Sequence, residues 1–232
     1  MQRPQVVPLH GHAPRRHVLV LLISGAGGWI AFDRRLAHAL RTSGFDILGL
    51  DAQKFFLWRT REPEEVAKFI ESLLVSWTKI WNDHHIILIG YSQGADIMPF
   101  VSARLHPDWR QRVSLIALLG PAKFADFHLR LRDVIFGTYS GRARPIASEL
   151  QRLPAHIPVL CIHGRKDKAT LCRTCSWNKM HVQPVDGGHI FRHNADEISH
   201  IILRAWDRGS NIATPDSSSS GVQHDTHRNG PF

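Results

Sequence analysis

The sequence predicts an α/β domain, doubly wound, with a mostly parallel sheet and helices on both faces. Three observations carry this. Short, nearly continuous Val/Ile/Leu runs alternate with amphipathic stretches. The runs lack the polar alternation of a half-exposed sheet, so both sheet faces must be covered. A length of 232 residues suits one well-buried domain better than two.

The elements follow in order. Residues 1–16 are rich in Pro, His and Arg without periodicity and read as a flexible lead-in. The run 17–23 is the first strand. Arg15 and Arg16 give it the basic flank of a signal peptide, but it is too short for one and sits where a core strand is needed. A helix over 31–42 is ended by Gly44, and 45–50 is the next strand. Residues 64–81 form a long helix, with Pro63 at its start where a missing N–H does no harm. Its Val66, Phe69, Ile70, Leu73, Leu74 and Trp77 recur at helical spacing and are core residues. A strand over 85–89, a helix over 94–105 and a strand over 113–119 lead into an irregular stretch reaching about residue 153. Strands over 158–162 and 179–185 and a helix over 196–206 close the domain, bounded at 17–208. From Gly209 the chain turns Ser-, Gly- and Asn-rich, cannot bury enough apolar surface to order itself, and reads as a disordered tail over 209–232. In such a fold the site lies at the carboxyl ends of the strands.

The strongest chemical signal is Ile86-Ile87-Leu88-Ile89-Gly90-Tyr91-Ser92-Gln93-Gly94-Ala95: a buried strand, G-x-S-x-G, and a helix beginning at once. That is a nucleophile elbow in its required context, and it specifies the α/β-hydrolase fold. Gly90 and Gly94 remove collisions in a turn tight enough to strain Ser92, whose hydroxyl is lifted to a helix N-terminus. A glycine-bounded turn with an incidental serine is the competing reading, weakened by the strand before it and the helix after it. A serine hydroxyl needs a base, and in this fold the chain order is Ser, then Asp or Glu, then His. His189, in Val185-Asp186-Gly187-Gly188-His189 after the last strand, fits that order; His181, His193 and His200 are worse placed. Asp167, in Gly164-Arg165-Lys166-Asp167, is the preferred acid, with Asp126 its competitor; Asp186 lies too close to His189 and serves the turn. The oxyanion donors would be the amides of Gln93 and Ala26, the latter in Ser24-Gly25-Ala26-Gly27-Gly28-Trp29. That glycine loop lacks both the Lys-Ser/Thr ending and the G-x-G-x-x-G spacing of a phosphate cradle, so nucleotide binding is a weak contender.

The net charge of +9 and pI of about 10.1 favour anionic partners. The basic residues are scattered and no nucleic-acid motif accompanies them. An ordinary basic surface is the plain reading, a membrane surface the sharper one, and nucleic acid is not expected. No apolar run approaches the roughly 20 residues needed to span a bilayer. Of three cysteines, Cys161 and Cys172 are expected to pair, which implies an oxidising compartment; free thiols come second. A zinc site on Cys172 and Cys175 with Cys161 or His163 comes third, because one C-x-x-C without a second ligand pair is a weak signal. No cofactor and no metal are expected.

The residues resemble a bacterial virulence family, VirJ and AcvB. The resemblance rests on Ser24-Gly25-Ala26-Gly27-Gly28-Trp29, on Gly90-Tyr91-Ser92-Gln93-Gly94-Ala95-Asp96-Ile97-Met98-Pro99-Phe100, on Leu118-Leu119-Gly120-Pro121 with Ala125-Asp126-Phe127, on Cys161, Cys172 and on Gly187-Gly188-His189. It covers about residues 17 to 206. It implies a periplasmic serine hydrolase acting on aminoacylated phospholipid, notably lysyl-phosphatidylglycerol, at an anionic membrane surface, linked to type IV secretion and its proteins. A carboxylesterase or thioesterase, or a non-catalytic secretion-associated protein on the same fold, are the alternatives. The chain departs from the family at Ala26, where an acid is usual, at Ile190, where a second histidine is usual, and in an acid loop whose single carboxylate is Asp167. Asp96 matches the family, and a structural bond to nearby backbone is expected of it.

Overall fold

The computed structural model describes residues 6–56, 60–127, 143–175, 177–191 and 193–211. In chain order its first half comprises Val6–Leu9 (β1), Val18–Ile23 (β2), Ala31–Thr42 (α1), Asp46–Leu50 (β3), Ala52–Phe56 (α2), Pro63–Trp81 (α3) and His85–Tyr91 (β4). Then come Gln93–Arg104 (α4), Pro107–Arg112 (α5), Val113–Leu119 (β5), and a small ribbon of Phe124–Ala125 (β6) with Arg144–Pro145 (β7). Ile146–Leu150 (α6), Val159–Gly164 (β8), a 3-10 turn at Leu171–Arg173, Met180–Val185 (β9) and Ala195–Asn211 (α7) complete the order.

Seven strands form one sheet in the order β1-β3-β2-β4-β5-β8-β9, parallel throughout except for β1, which runs antiparallel to β3. Every residue of β2, β3 and β8 is buried, because helices cover both faces and leave no solvent side on which polar residues would alternate. One apolar layer packs Leu19, Leu21 and Leu88 with Ile70 and Leu74 of α3 and Met98 and Val101 of α4. The other packs Val20, Ile87 and Ile89 with Leu36 and Leu40 of α1 and Ile198 and Ile202 of α7. Burying each such side chain favours the fold by roughly 1.5–3 kcal/mol. The chain winds outward from β2 to β3 and returns to β4 on the other side of β2, so the order reverses beside the central strand. A crevice opens at such a reversal, at the strands' carboxyl ends.

Two expectations change. The lead-in is not without structure from residue 6 onward: β1 pairs with β3, and buried Asp46 gathers the segment by accepting from the Gly11 amide (2.7 Å) and from Arg15, with His10 Nδ1 also 2.7 Å away. Polar ties made by one buried carboxylate carry no hydrophobic period, which is why composition alone misses them. The closing helix also runs on to Asn211, past the 208 boundary. Residues from 212 onward, to which most of the tail assignment refers, lie outside the described residues. No helix among the described residues is long and apolar enough to cross a membrane.

Candidate active site

Ser92 is the single residue between the end of β4 and the start of α4. Its backbone sits at φ 51°, ψ −116°, a conformation that is costly for any residue with a side chain. The surroundings enforce it. The Ser92 amide donates to the Leu119 carbonyl (2.9 Å), and the Ser92 carbonyl accepts from the Asp96 amide (2.9 Å). A β-carbon on Gly90 would lie 2.3 Å from the Gly94 carbonyl oxygen, and one on Gly94 would lie 2.2 Å from that of Ile23. Only glycine fits at either place, as the motif requires.

The loop after β9 brings His189 over this turn. Its Nε2 lies 2.9 Å from Ser92 Oγ, and its Nδ1 lies 2.9 Å from Asp167 Oδ2. A carboxylate only accepts, so Nδ1 carries the proton and the Nε2 lone pair faces the serine hydroxyl. Three residues separated by 97 and 22 positions thus form one continuous hydrogen-bonded line. The Asp167 side chain is 8% exposed against 45% for His189, so the acid end is shielded while the imidazole faces solvent and any substrate. Asp167 takes the nitrogen for which Asp126 was the rival; Asp126 lies beyond β6, and Asp186 is paired with Arg165 at 3.2 Å.

The imidazole is also held from behind. Its ring centroid is 6.1 Å from that of Tyr91, which packs in turn on Phe32 (4.8 Å) and Phe191 (6.0 Å). Gly120, at φ 62°, lets the backbone pass so close that a β-carbon there would be 3.1 Å from His189 Nδ1. The sequence marks Gly120 only as part of the family resemblance, in the Gly120-Pro121 pair directly after β5, and gives no signal for Phe191.

The Gln93 amide opens α4, where helix N–H groups have no partner within the helix. Ala26 stands, half-buried, in a turn closed by Gly28 N–H donating to the Gly25 carbonyl (3.0 Å). A β-carbon on Gly25 would come within 3.2 Å of Ser92 Cβ, so this turn lies directly against the Ser92 side chain. The Ser24 hydroxyl supports it by accepting from the Ala52 amide at 3.0 Å.

Three acidic groups beside the site are perturbed. Asp33 of α1 is fully buried; its Oδ2 accepts from the Ile30 amide (2.9 Å), while its Oδ1 has no partner among the described residues. Burial, with a smaller contribution from the charge of Asp51, pushes its pKa up to about 7. Tyr91 is pushed up to about 12 by burial and by the Asp33 charge. Asp96 bonds the Ala122 amide at 2.6 Å, the backbone tie expected of it, and burial raises its carboxyl to about 8. Cys161 and Cys172 form a disulfide and Cys175 keeps its thiol, which removes two of the ligands a zinc site would use. No group of three or more His, Cys, Asp or Glu that could hold a metal is found among the described residues.

Comparison with known proteins agrees with this geometry. The family model "Bacterial virulence protein (VirJ)" matches residues 17–210. No functionally curated protein matches the chain. Among solved structures, Est1E from Butyrivibrio proteoclasticus superposes with a TM-score of 0.64 at 13% identity, covering 89% of this chain and 94% of that one. The Paleococcus ferrophilus monoacylglycerol lipase gives 0.58 at 14%, covering 90% and 100%. Mouse α/β-hydrolase domain-containing protein 10 gives 0.56 at 14%, covering 90% and 94%. At such identities the likeness establishes the α/β-hydrolase fold.

Proposed function

This chain belongs to the VirJ family of bacterial virulence proteins, and on that footing we propose that it is a serine ester hydrolase that removes the aminoacyl group from aminoacylated phospholipid. The observation that carries the reading is the unbroken Ser92–His189–Asp167 line at the carboxyl edge of the sheet. In this reading Ser92 Oγ attacks the aminoacyl ester carbonyl while His189 Nε2 takes its proton. The tetrahedral oxyanion is met by the Gln93 and Ala26 amides, each such donor lowering the barrier by about 3 kcal/mol. The C–O bond to the lipid then breaks, and the glycerol alkoxide leaves with the proton held on His189. Water, deprotonated by His189, attacks the aminoacyl-serine ester and releases the free amino acid. Asp167 orients the imidazole and stabilises its cationic form throughout.

The net charge of +9 supports an anionic bilayer as the place of work. The buried disulfide supports an oxidising compartment, hence the periplasm.

A fluorophosphonate probe should label the wild-type protein and fail on Ser92→Ala, whose turnover should fall about 10⁶-fold. Labelling of both proteins alike, or of neither, would refute the serine mechanism and leave the secretion-associated binding protein. Lysine release from lysyl-phosphatidylglycerol vesicles, set against turnover of simple acyl esters and thioesters, decides the substrate class. Faster acyl-ester turnover would make the protein a general esterase.

A further inference from the structure

The loop that carries Asp167 leaves β8 at Gly164 and returns through Thr170 and Cys172. Its outgoing limb is tied to the loop that carries His189: the Arg165 amide donates to the Val185 carbonyl (2.8 Å) and the Lys166 amide to that of Gly187 (2.9 Å). Gly164 sits so close to this neighbour that a β-carbon would be 2.5 Å from the Gly188 carbonyl oxygen. At the tip, the Asp167 amide donates to the Gly164 carbonyl (2.9 Å), and Asp167 Oδ1 accepts from the Ala169 amide (3.2 Å), leaving Oδ2 for His189.

The returning limb is held differently. Thr170 Oγ1 and the Leu171 amide both donate to one acceptor, the Pro121 carbonyl, at 2.9 and 2.8 Å. One residue further on, the Cys172 sulfur is joined covalently to Cys161 in the middle of β8, a strand buried along its whole length. The disulfide therefore clamps to the sheet two positions with a sequence separation of 11, with the acid between them. Both sulfurs belong to buried residues, 0% and 4% exposed.

We propose that Cys161 and Cys172 are positioning residues for Asp167: their disulfide fixes the acid against His189, so hydrolysis is switched on when this pair is oxidised by exchange with a more oxidising disulfide, which takes the two electrons and two protons and leaves as two thiols. The inference rests on the serine-hydrolase reading above. A dithiol reductant would pass two electrons and two protons to the sulfurs, becoming a disulfide itself and leaving Cys161 and Cys172 as thiols. The returning limb then loses its covalent tie to β8 and keeps only non-covalent ones, chiefly the Pro121 carbonyl and the buried Leu171 side chain; the Oδ2–Nδ1 contact loosens, and the imidazole loses its orientation. A misplacement of about 1 Å at such a contact costs on the order of 100-fold in rate. An enzyme built this way stays idle wherever thiols are kept reduced and becomes active where disulfides form.

The test uses the full chain carrying Cys175→Ser, so that one sulfur pair remains, compared oxidised, dithiol-reduced, and as Cys161→Val/Cys172→Ala. Expected is a fall of about 100-fold in kcat for an ester substrate on losing the disulfide, with KM unchanged and near-UV circular dichroism retained. In an Asp167→Asn background the same loss of the disulfide should change kcat by less than about twofold, because the bond acts through that carboxylate. An equal fall in both backgrounds, or activity lost only together with the native spectrum, makes the bond a stabiliser of the fold and overturns the proposal. Unchanged labelling of Ser92 after reduction overturns this inference alone. Absence of labelling in the oxidised protein overturns the hydrolase reading and this inference with it.

Discussion

The sheet holds a histidine–aspartate pair at each end. At the carboxyl edge His189 Nδ1 meets Asp167 at 2.9 Å; at the amino edge His10 Nδ1 meets Asp46 at 2.7 Å. In distance and in the burial of the acid the pairs are alike, with side-chain exposures of 8% and 0% for the two aspartates. They differ in what surrounds them. Asp46 also takes the Gly11 amide and the Arg15 guanidinium, and Arg15 lies 3.6 Å from buried Asp83. That carboxylate is spent on fastening the lead-in, and the glycine-bounded elbow stands at the other end of the sheet. At the carboxyl edge the second imidazole nitrogen faces Ser92, held up by a backbone that resists relaxing. A histidine–aspartate pair becomes chemically useful through its third member.

The comparison breaks most visibly on exchange of the two acids. Asp167→Asn should lower ester turnover about 10⁴-fold by fixing the wrong tautomer, with the fold intact. Asp126→Asn and His10→Ala should stay within about twofold, since neither side chain meets His189 at its ring nitrogens. Steady-state kinetics on the four proteins checks this, and a large loss in Asp126→Asn would reassign the acid. At the amino edge the effect should appear in stability instead. Asp46→Asn leaves Arg15 and the Gly11 amide poorly matched, and should cost about 3 kcal/mol in urea unfolding while activity per folded molecule holds.

The last effect is a pH slope, gradual where the others are abrupt. Asp33 titrates near 3.8 when unfolded and near 7 when folded, so between those values the folded state holds the extra proton. Its contribution is fully present below about pH 4 and is lost as pH rises to about 7, by about 1.4 kcal/mol per pH unit at most. Asp33→Asn keeps an acceptor for the Ile30 amide and removes the titration. Its stability relative to wild type should therefore climb between pH 4 and 7 and level off above, as read by unfolding at several pH values. A flat difference would mean that the carboxyl is ionised at its ordinary range in the folded protein. Asp83, raised by burial and then by the neighbouring Asp46, adds a slope of the same sign at the amino edge. The two ends of the sheet thus share an acid-stabilised character while only one of them bears the raised Ser92.

The elbow was legible because its physics is local: a buried run, two glycines where a β-carbon cannot stand, and a helix start lie within ten residues of one another. His189 and Asp167 could be named as candidates as well, because each occupies a short loop directly after a strand, in the chain order Ser, acid, His. The lead-in strand was not, since it depends on a carboxylate some 30 residues away from the amide and guanidinium it binds. Nor was the aromatic backing of the imidazole, as Phe32, Tyr91 and Phe191 come from three separate elements.

Hydrophobic periodicity and steric exclusion act between near neighbours, so the amino-acid order by itself determined the layered architecture, the raised serine and the family. Hydrogen-bond partners far apart in the chain meet only after the sheet has closed. The tertiary structure alone therefore decided that the imidazole turns one nitrogen to Ser92 and the other to Asp167 rather than to Asp126.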